Sequence, residues 1–422
     1  MVSKAMFIDG IRTPFQLPHT GYKEMTGSLL LSAAFRRLLS RIKIDKTDID
    51  HVVAGNVFHE PMSPNIAAVS ACNAGVHVPA HSISMACISG QAAISKGIDM
   101  INSNYADIVM VGGVESLTDL PVRISKNARK ILMKARNPEL NSKDRIKLLS
   151  QLNSRDWLPD VLRVVEFQTK ESFVKNGDKI ALKFGITRDE QDEYGYRSHR
   201  LSNRATDDGQ FPFVCSVTCP ITGVTISTDS TLRNWTREKV FKMKTVRHGG
   251  TVTMATANQP CDGAAACLLA SESAANRYNL TPRARLSTTS FSACSPVTDL
   301  LMGTSHSIAR LKIDQGINIE NADVIELYEG FGGEVLSQLS AMRCPKYAKD
   351  VFNLDTHIGD INLENVNAWG GTIGLGHAFG ATGIRLLLHA VGRLEEKNKN
   401  LGIVAGCGGG GLGAAFAVNR VL

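Results

Sequence analysis

Apolar positions along the first 117 residues switch repeatedly between two spacings. Short continuous apolar runs occupy 4–11 (KAMFIDGI) and 107–116 (DIVMVGGVES), whereas apolar residues recur at helical spacing over 27–42 and 87–103. Continuous runs of this length are typical of buried strands, and the second spacing is typical of helices that bury one face. Strands that alternate with helices predict an α/β domain with a mixed or parallel sheet.

The alternation stops near residue 118 and returns near residue 250. The intervening segment is polar, basic and rich in helical patterns and turn signals, so we predict an inserted helical loop domain over 118–249. Residues 251–271 then have the pattern of a strand, a loop and a second strand. We therefore predict an N-terminal core half from 1–117 plus 250–272 and a C-terminal core half from 273–422.

The two predicted core halves share one pattern. A helix that begins near Cys87 leads to a strand with glycines (IVMVGGVES), and a helix that begins near His377 leads to another (IVAGCGGGG). Two similar α/β halves would bring the two helix starts towards a common centre. The pattern alone leaves open whether the halves are a duplication.

Composition narrows the class of protein. Hydrophobic residues make up 43% of the chain and charged residues 21%, which is typical of a folded globular protein. No apolar run approaches the roughly 20 residues that span a bilayer, and we expect no secretory signal, no clear transit sequence and no peroxisomal C-terminal address. The nine cysteines are odd in number and form no CxxC pair, which favours a reducing compartment over disulfides or structural zinc.

Much of the net charge of +7 lies in one stretch. Nine arginines or lysines fall between Arg123 and Lys147, opposed only by Glu139 and Asp144. A solvated helical face explains such a stretch, and so does a surface for an anionic membrane, an anionic partner or the phosphates of a nucleotide-bearing substrate. The stretch has no aromatic residue for base stacking, so we expect no nucleic-acid binding.

Cys87 is the first candidate for chemistry. It opens a predicted helix in SISMACISGQAA, where unpaired amides and the helix dipole are expected to lower the pKa of a thiol. The small residues after it leave room for a substrate. Taken alone, Cys87 also fits a buried structural cysteine.

His377 and Cys407 lie on two glycine-rich segments. His377, in GGTIGLGHAFG, is a candidate base for a nearby thiol, with a surface-loop histidine as the alternative. Cys407 ends an apolar strand in AGCGGGGLG, whose amides suit an oxyanion hole or an anion nest. A phosphate-binding loop with an incidental cysteine is the alternative, but the lysine and serine of a P-loop do not follow. Two cysteines and a histidine on separate glycine-rich segments favour acyl transfer in two steps.

Longer segments around these residues resemble the thiolase family, and the resemblance extends over nearly the whole chain. The segments are MACISGQAA, GGVESLTDLPVRISKNARK, HGGTVTMATANQPCDGAAA, NAWGGTIGLGHAFGATG and CGGGGLG. They look most like the β subunits of trifunctional fatty-acid oxidation enzymes. The resemblance implies a thiolase fold, in which two similar βαβαβ-type halves form five α-β-α-β-α layers and carry an inserted helical loop domain.

The resemblance also implies roles for the candidate residues. Cys87 would be the acylated nucleophile, His377 would activate it and contribute to one oxyanion hole, and Cys407 would be the general acid and base. The amides of Cys87 and Gly409 would form the second oxyanion hole. Thiolases act on acyl-CoA with coenzyme A as co-substrate and need no metal or prosthetic group.

The resemblance further implies partners and a location. The expected state is a homodimer or tetramer, with a trifunctional α-like subunit as a partner. The expected location is the mitochondrial matrix, with the cytoplasm left open. In the trifunctional subfamily the basic insertion lies near the membrane face, which gives 123–147 a role at an anionic membrane surface.

The substrate-facing motifs depart from the family pattern. Tyr328 stands where thiolases have the Asn or His of an oxyanion hole, and its hydroxyl is still able to donate. Ala378 replaces the proline that normally follows the histidine. The other candidate substrate- and CoA-binding residues, several of which differ from the usual ones, are Thr256, Asn258, Phe173, Lys175 and Phe331.

The sequence therefore predicts an acyltransferase, a 3-ketoacyl-CoA thiolase of fatty-acid β-oxidation that works through an acyl-cysteine. The altered motifs leave two alternatives open. One is a divergent relative with weak thiolysis that acts as a thioesterase or in another acyl-CoA reaction. The other is a non-catalytic structural subunit of a β-oxidation complex.

Overall fold

The computed structural model describes residues 4–159 and 165–421. The strands are β1 (Ala5–Arg12), β2 (His51–Gly55), β3 (Ala80–Ile83), β4 (Ile108–Glu115), β5 (Val217–Thr218), β6 (Thr225–Ile226), β7 (Gly263–Ser271), β8 (Ala284–Leu286), β9 (Ser290–Ala293), β10 (Val324–Leu327), β11 (Leu401–Gly408) and β12 (Leu412–Arg420). The helices are α1 (Gly27–Arg41), α2 (Ile66–Asn73), α3 (Ser89–Asn102), α4 (Lys126–Ala135), α5 (Ser142–Leu149), α6 (Phe173–Lys183), α7 (Arg188–Asp207), α8 (Arg237–Phe241), α9 (Glu272–Arg277), α10 (Gly303–Gln315), α11 (Gly332–Arg343), α12 (Pro345–Phe352), α13 (Thr372–Leu375) and α14 (Thr382–Glu396).

A ten-stranded sheet has the order β10-β11-β12-β8-β1-β7-β4-β2-β3, with β9 paired to β12. Two halves meet where β1 pairs with β8. Each half has a parallel pair of strands, β2 with β4 and β10 with β11, and in the first half β3 adds parallel to β2. In the first half, β7 pairs antiparallel with β4, and β1 pairs antiparallel with β7. In the second half, β12 pairs antiparallel with β11, and β8 pairs antiparallel with β12. The shared pairing order supports the predicted repeat of the two halves.

Side chains alternate across the sheet and divide the core into layers. In β4, Val109 faces a central layer formed by α3 and α14, whereas Met110 faces α1 and α2 on the outside. In β11, Val404 faces the same central layer, and Ile403 faces α10 and α11 on the opposite outside. These contacts confirm the predicted order of five α-β-α-β-α layers.

The two central helices meet at their starts. A Cβ atom added to Gly90 in α3 would lie 2.5 Å from the carbonyl oxygen of Gly380 and 3.0 Å from the amide nitrogen of Gly383 in α14. No side chain fits at such distances, so glycine is required where the backbones touch. The contact brings together the two segments that carry Cys87 and His377.

Residues 251–271 differ from the prediction in one respect. The second predicted strand forms as β7, but the first part of the segment is a loop. The Asp178 carboxylate accepts the amide of Thr251 at 2.6 Å, and the Thr256 hydroxyl accepts the amide of Thr253 at 2.8 Å. Because side chains satisfy these amides, the backbone turns instead of pairing as a strand.

Residues 120–165 form a compact unit of their own, and the rest of the chain forms the other. In the smaller unit, α4 buries Ala128, Ile131 and Ala135 and exposes its basic residues. The predicted insertion, 118–249, extends beyond this unit, because α6, α7 and α8 belong to the larger one. The division into three domains therefore stays a prediction. Within the part of the chain that the structure describes, no helix is long and apolar enough to cross a membrane.

Candidate active site

Cys87 lies in a tight turn between β3 and α3. The residue before it, Ala86, has a positive φ of 49°, which residues with a side chain rarely adopt. Ser89 fixes the turn, because its hydroxyl accepts the amide of Met85 at 2.8 Å and donates to the carbonyl of Ala86 at 2.7 Å. Helix α3 begins at Ser89, so Cys87 stands just before a helix start, as the sequence predicts.

The Cys87 thiol is less acidic than the sequence suggests. Burial raises its pKa to about 11, and hydrogen bonds from the Tyr328 hydroxyl and from the amides of Gly409 and Cys87 offset only part of this rise. The expectation of a lowered pKa was wrong, because removing a thiolate from water costs more than the nearby donors return. Cys87 is therefore a protonated thiol at neutral pH until a base or a substrate changes its state.

Tyr328 follows β10 and contacts both Cys87 and His377. Its hydroxyl donates towards the Cys87 sulfur at 3.9 Å and accepts from the side-chain amide of Asn258 at 2.9 Å. Its ring centroid lies 4.8 Å from that of His377. Burial, and then the charges of Cys87 and Glu334, hold the pKa of Tyr328 well above its usual value. The phenol thus stays protonated and donates beside the candidate nucleophile.

His377 is buried on the segment before α14. Its Nδ1 atom shares a hydrogen bond of 2.9 Å with the Thr382 hydroxyl, and its Nε2 atom has no hydrogen-bond partner among the described residues. Burial, and then the charge of Arg385, lower the pKa of His377 to about 3, so its ring is neutral at physiological pH. A neutral imidazole accepts a proton or donates one to a carbonyl oxygen, depending on which nitrogen carries the hydrogen.

Cys407 lies in β11 and is almost completely buried. Its thiol donates to the Glu334 carboxylate at 2.9 Å. Burial, and then the charge of Glu334, hold the pKa of Cys407 well above its usual value. Burial also raises the pKa of Glu334 to about 8, although the Cys407 thiol and the amides of Phe331 and Gly330 bond to it. Cys407 is therefore a protonated thiol, in a state to give up a proton.

The glycines after Cys407 pack against the Cys87 turn. A Cβ atom added to Gly408 would lie 3.2 Å from the Met85 carbonyl oxygen and 3.4 Å from the Cys87 amide nitrogen. The next amide, that of Gly409, reaches the Cys87 thiol. The two candidate cysteines, one from each half, therefore lie on segments in direct contact.

Three of the predicted substrate-binding residues lie on segments in contact with this site. Asn258 bonds to the Tyr328 hydroxyl, and the Phe173 ring packs over Gly409, with its Cζ 3.2 Å from where a Cβ would be. Phe331 is buried, and its amide donates to the Glu334 carboxylate at 3.1 Å.

The other two predicted binding residues have other partners. The Thr256 side chain is fully buried and bonds to Thr253. The Lys175 ammonium forms an ion pair with Glu171 at 2.7 Å on the surface of α6. A role for either residue in binding substrate stays a prediction.

Sequence reasoning missed two polar side chains of this site. Glu334 binds Cys407, and Thr382 holds His377. A signal for Glu334 was available, because an acidic residue at the third position of a helix is typical of a capping box, and Glu334 stands there in α11. Thr382 carries no comparable signal. Within the described chain no cluster of three His, Cys, Asp or Glu side chains is fit to hold a metal.

Comparison with known proteins assigns the chain to a family. The thiolase N-terminal domain matches residues 5–273, and the thiolase C-terminal domain matches residues 280–420. The chain belongs to the thiolase family, and it is an acyltransferase of thiolase type.

Named relatives resemble the chain over almost all of its length. It is 34% identical to the mitochondrial trifunctional enzyme subunit beta of Macaca fascicularis, over 99% of this chain and 88% of that protein. It is also 34% identical to a probable 3-ketoacyl-CoA thiolase of Caenorhabditis elegans, over 98% of this chain and 93% of that protein.

Among solved structures, human mitochondrial 3-ketoacyl-CoA thiolase superposes with a TM-score of 0.83 at 26% identity, over 99% of each chain. The acetyl-CoA acetyltransferase of Bacillus anthracis superposes with a TM-score of 0.82 over 100% of this chain and 99% of that one. At 23% identity the second likeness shows the fold alone. Both superpositions confirm the predicted thiolase fold.

Proposed function

We propose that this chain is a 3-ketoacyl-CoA thiolase of fatty-acid β-oxidation that carries the acyl group on Cys87. One observation carries the proposal: two thiols from the two halves stand on segments in contact, one beside hydrogen-bond donors and one held protonated. Two relatives support this choice of substrate by their names, a probable 3-ketoacyl-CoA thiolase of the nematode and a 3-ketoacyl-CoA thiolase of a Pseudoalteromonas strain.

The first half-reaction breaks a carbon–carbon bond. The neutral His377 ring takes the proton of Cys87, and the sulfur attacks the 3-keto carbonyl. The Gly409 and Cys87 amides, which bond to the Cys87 thiol, would stabilise the oxygen that becomes negative. When the bond between C2 and C3 breaks, its electron pair stays on C2 of the departing acetyl-CoA. Cys407 gives its proton to that carbon, which leaves a thioester on Cys87 and a thiolate at Cys407.

The second half-reaction transfers the acyl group to coenzyme A. The Cys407 thiolate takes the proton of the incoming CoA thiol, and the CoA sulfur attacks the thioester on Cys87. The bond between the carbonyl carbon and Cys87 breaks, and the electron pair returns to the Cys87 sulfur, which recovers its proton from His377. The cycle ends with both cysteines protonated and with a shortened acyl-CoA.

The direct test is mass spectrometry of Cys87 after incubation with acyl-CoAs of several chain lengths, together with the CoA-dependent loss of 3-ketoacyl-CoA absorbance. We expect acylation at Cys87 and turnover. The Cys87→Ser variant should lose both, and Cys72→Ser, which removes an exposed cysteine, should lose neither. If acyl-CoA binds but Cys87 stays unmodified and no thiolysis occurs, the proposal is wrong.

Tyr328 motivates a second candidate, a divergent enzyme with slow thiolysis. The phenol contacts both Cys87 and His377, so it occupies space that a smaller donor would leave for substrate. Restoring the family residue with Tyr328→His should then raise the thiolysis rate by about 10-fold or more, because loss of one oxyanion donor typically costs 100- to 1000-fold. An unchanged rate would remove Tyr328 as the cause of slow turnover and leave the first candidate in place.

The smaller unit, 120–165, motivates a proposal about partners. Eight of the nine basic residues between 123 and 147 are exposed, and large apolar side chains between 122 and 158 are exposed as well. These apolar residues are Val122, Met133, Ile146, Leu149, Trp157 and Leu158. Exposed apolar side chains among cations suit an anionic membrane surface, where both find partners.

Assembly and location complete the proposal. The names of the trifunctional relatives favour the mitochondrial matrix and an α-like partner subunit, and family resemblance favours a homodimer or tetramer. Vesicle flotation with anionic and with neutral lipids tests the membrane contact. Binding should require anionic lipid and should weaken when Arg129, Lys130 and Lys134 become glutamine. Equal binding of the variant would remove the electrostatic form of this proposal.

A further inference from the structure

Glu334 is a fully buried carboxylate in contact with a thiol. Its Oε1 atom accepts the thiol of Cys407 at 2.9 Å and the side-chain amide of Gln338 at 3.0 Å. Its Oε2 atom accepts the amide of Phe331 at 3.1 Å, and the amide of Gly330 also bonds to this carboxylate. All four partners point a hydrogen at the carboxylate, which is the arrangement that an ionised carboxylate requires.

The carboxylate is held in one orientation. Gln338 is itself anchored, because its amide also donates to the carbonyl oxygen of Leu301 at 2.8 Å. Among the partners of Glu334, the Cys407 sulfur is the atom that both donates and accepts a hydrogen bond. A proton exchanged by Glu334 within this cluster therefore passes to or from Cys407.

We propose that Glu334 is the positioning residue of Cys407: it orients the thiol hydrogen and keeps Cys407 protonated, so that Cys407 starts each cycle as a proton donor. The inference rests on the proposed function, in which Cys407 gives a proton to C2 and takes one from the CoA thiol. Glu334 touches no reacting atom in that scheme and acts only through Cys407.

The negative charge of Glu334 explains how it influences Cys407. Once Cys407 has given its proton to C2, its thiolate lies beside the Glu334 carboxylate, and above the Glu334 pKa of about 8 the two negative charges repel each other strongly in this buried site. The repulsion makes the thiolate a stronger base, so it takes the proton of the CoA thiol readily. One proton leaves Cys407 for carbon and one returns from sulfur, and the carboxylate is unchanged over the cycle.

The other titratable groups around the pair act in the same direction. Cys87 raises the pKa of Cys407, and Glu329 raises that of Glu334. Tyr328, which feels the charges of both Glu334 and Cys407, stays neutral. Above about pH 8 Glu334 is ionised, and Cys407, whose pKa is higher, then holds the proton of the pair.

The test measures the titration of Cys407 without any acyl transfer. In a Cys87→Ser background, the ultraviolet absorbance of thiolate is followed across a series of pH values, and the difference from a Cys87→Ser, Cys407→Ser variant gives the titration of Cys407, which is buried from labelling reagents. Glu334→Gln keeps the shape of the side chain and removes its charge. We expect the titration midpoint of Cys407 to fall by about one pH unit or more, since removal of a like charge lowers a thiol pKa. Glu334→Asp keeps the charge and should restore most of the original midpoint.

Glu115→Gln is the matched control. Burial raises the pKa of Glu115, like that of Glu334, to about 8, but its described partners are Asn56 and backbone amides. This variant should leave the Cys407 midpoint in place. Iodoacetamide labelling of Cys267, which is fully buried, reports unfolding and identifies a variant that has lost its structure.

The outcomes separate this inference from the proposed function. An unchanged or higher Cys407 midpoint in a folded Glu334→Gln variant overturns the role of Glu334, whatever the enzyme does with acyl-CoA. A lowered midpoint supports the pairing. If the midpoint falls but wild-type Cys87 is never acylated, the pairing stands and the proposed function fails. In the active enzyme, the alkaline limb of thiolysis should move to lower pH in the same variant.

Discussion

The starts of α3 and α14 occupy matching places in the two halves but carry different chemistry. The α3 start has a half-buried thiol, Cys87, in a turn held by Ser89 and supplied with amide donors. The α14 start has a buried imidazole, His377, supported by Thr382. The repeated fold brings the two starts together. In the proposed function, the side chain at the α3 start attacks the substrate and the side chain at the α14 start moves a proton.

Two buried glutamates give a second contrast. Burial raises the pKa of both Glu115 and Glu334 to about 8. Glu115 accepts the backbone amides of Phe58 and Val57 and so fixes a loop, whereas Glu334 accepts the thiol of Cys407. A raised pKa alone therefore does not identify a group that takes part in proton transfer. The hydrogen-bond partner of the group identifies it.

The largest effect should come from removing the imidazole at the α14 start. His377→Ala should slow acylation of Cys87 by about 100- to 10,000-fold, the usual contribution of a general base. Thr382→Val is the matched variant, because it keeps the imidazole and removes only its support. Rapid-quench measurement of the acyl-enzyme separates the two. Equal losses in both variants would mean that the imidazole contributes to catalysis only while Thr382 holds it in place.

A smaller effect should follow from changing the donor at the α3 start. The Tyr328 hydroxyl lowers the pKa of Cys87, so Tyr328→Phe should raise that pKa further, by about half a unit. At pH 8, below the Cys87 pKa of about 11, iodoacetamide labelling should then slow by about 3-fold. Asn258→Ala, which removes a donor to the phenol but not the phenol itself, should have less effect. Faster labelling in Tyr328→Phe would contradict the hydrogen bond from the phenol to the thiol.

The smallest effect concerns the backbone beside Cys87. Ala86 has a positive φ that glycine adopts freely, so Ala86→Gly should raise the free energy of unfolding by up to about 1 kcal/mol. Ala92→Gly, in the interior of α3, should lower it by about 0.5–1 kcal/mol. Urea denaturation followed by circular dichroism compares the two. The same sign for both would show that the turn at Ala86 is not strained.

The fold was predictable from local pattern because β4, α1 and α3 bury residues at the spacing their sequences display. The loop structure of segment 251–257 was not predictable from its sequence. Its first amides donate to Asp178, which lies more than seventy positions away in the chain. A strand-like pattern gives no information about a distant acceptor of this kind.

The candidate site was predictable as a set of segments but not as a set of contacts. Glycine-rich sequence pointed to Cys87, His377 and Cys407, whose segments the fold brings together. The direction of the Cys87 pKa shift was not predictable, because it depends on burial by residues from both halves. The Glu334 contact was missed for the same reason, since α11 meets β11 only in the tertiary structure.

The short pairing between β1 and β8 suggests that the protein, cut into two fragments, could report whether those fragments have assembled. Among the described residues, those strands pair at two positions, Met6 with Arg285 and Phe7 with Ala284. A chain cut in the connection after α9 would leave Cys87 on one fragment and His377 with Cys407 on the other. Neither fragment alone would hold a complete site, so covalent labelling by an acyl-CoA would appear only where both fragments are present and assembled.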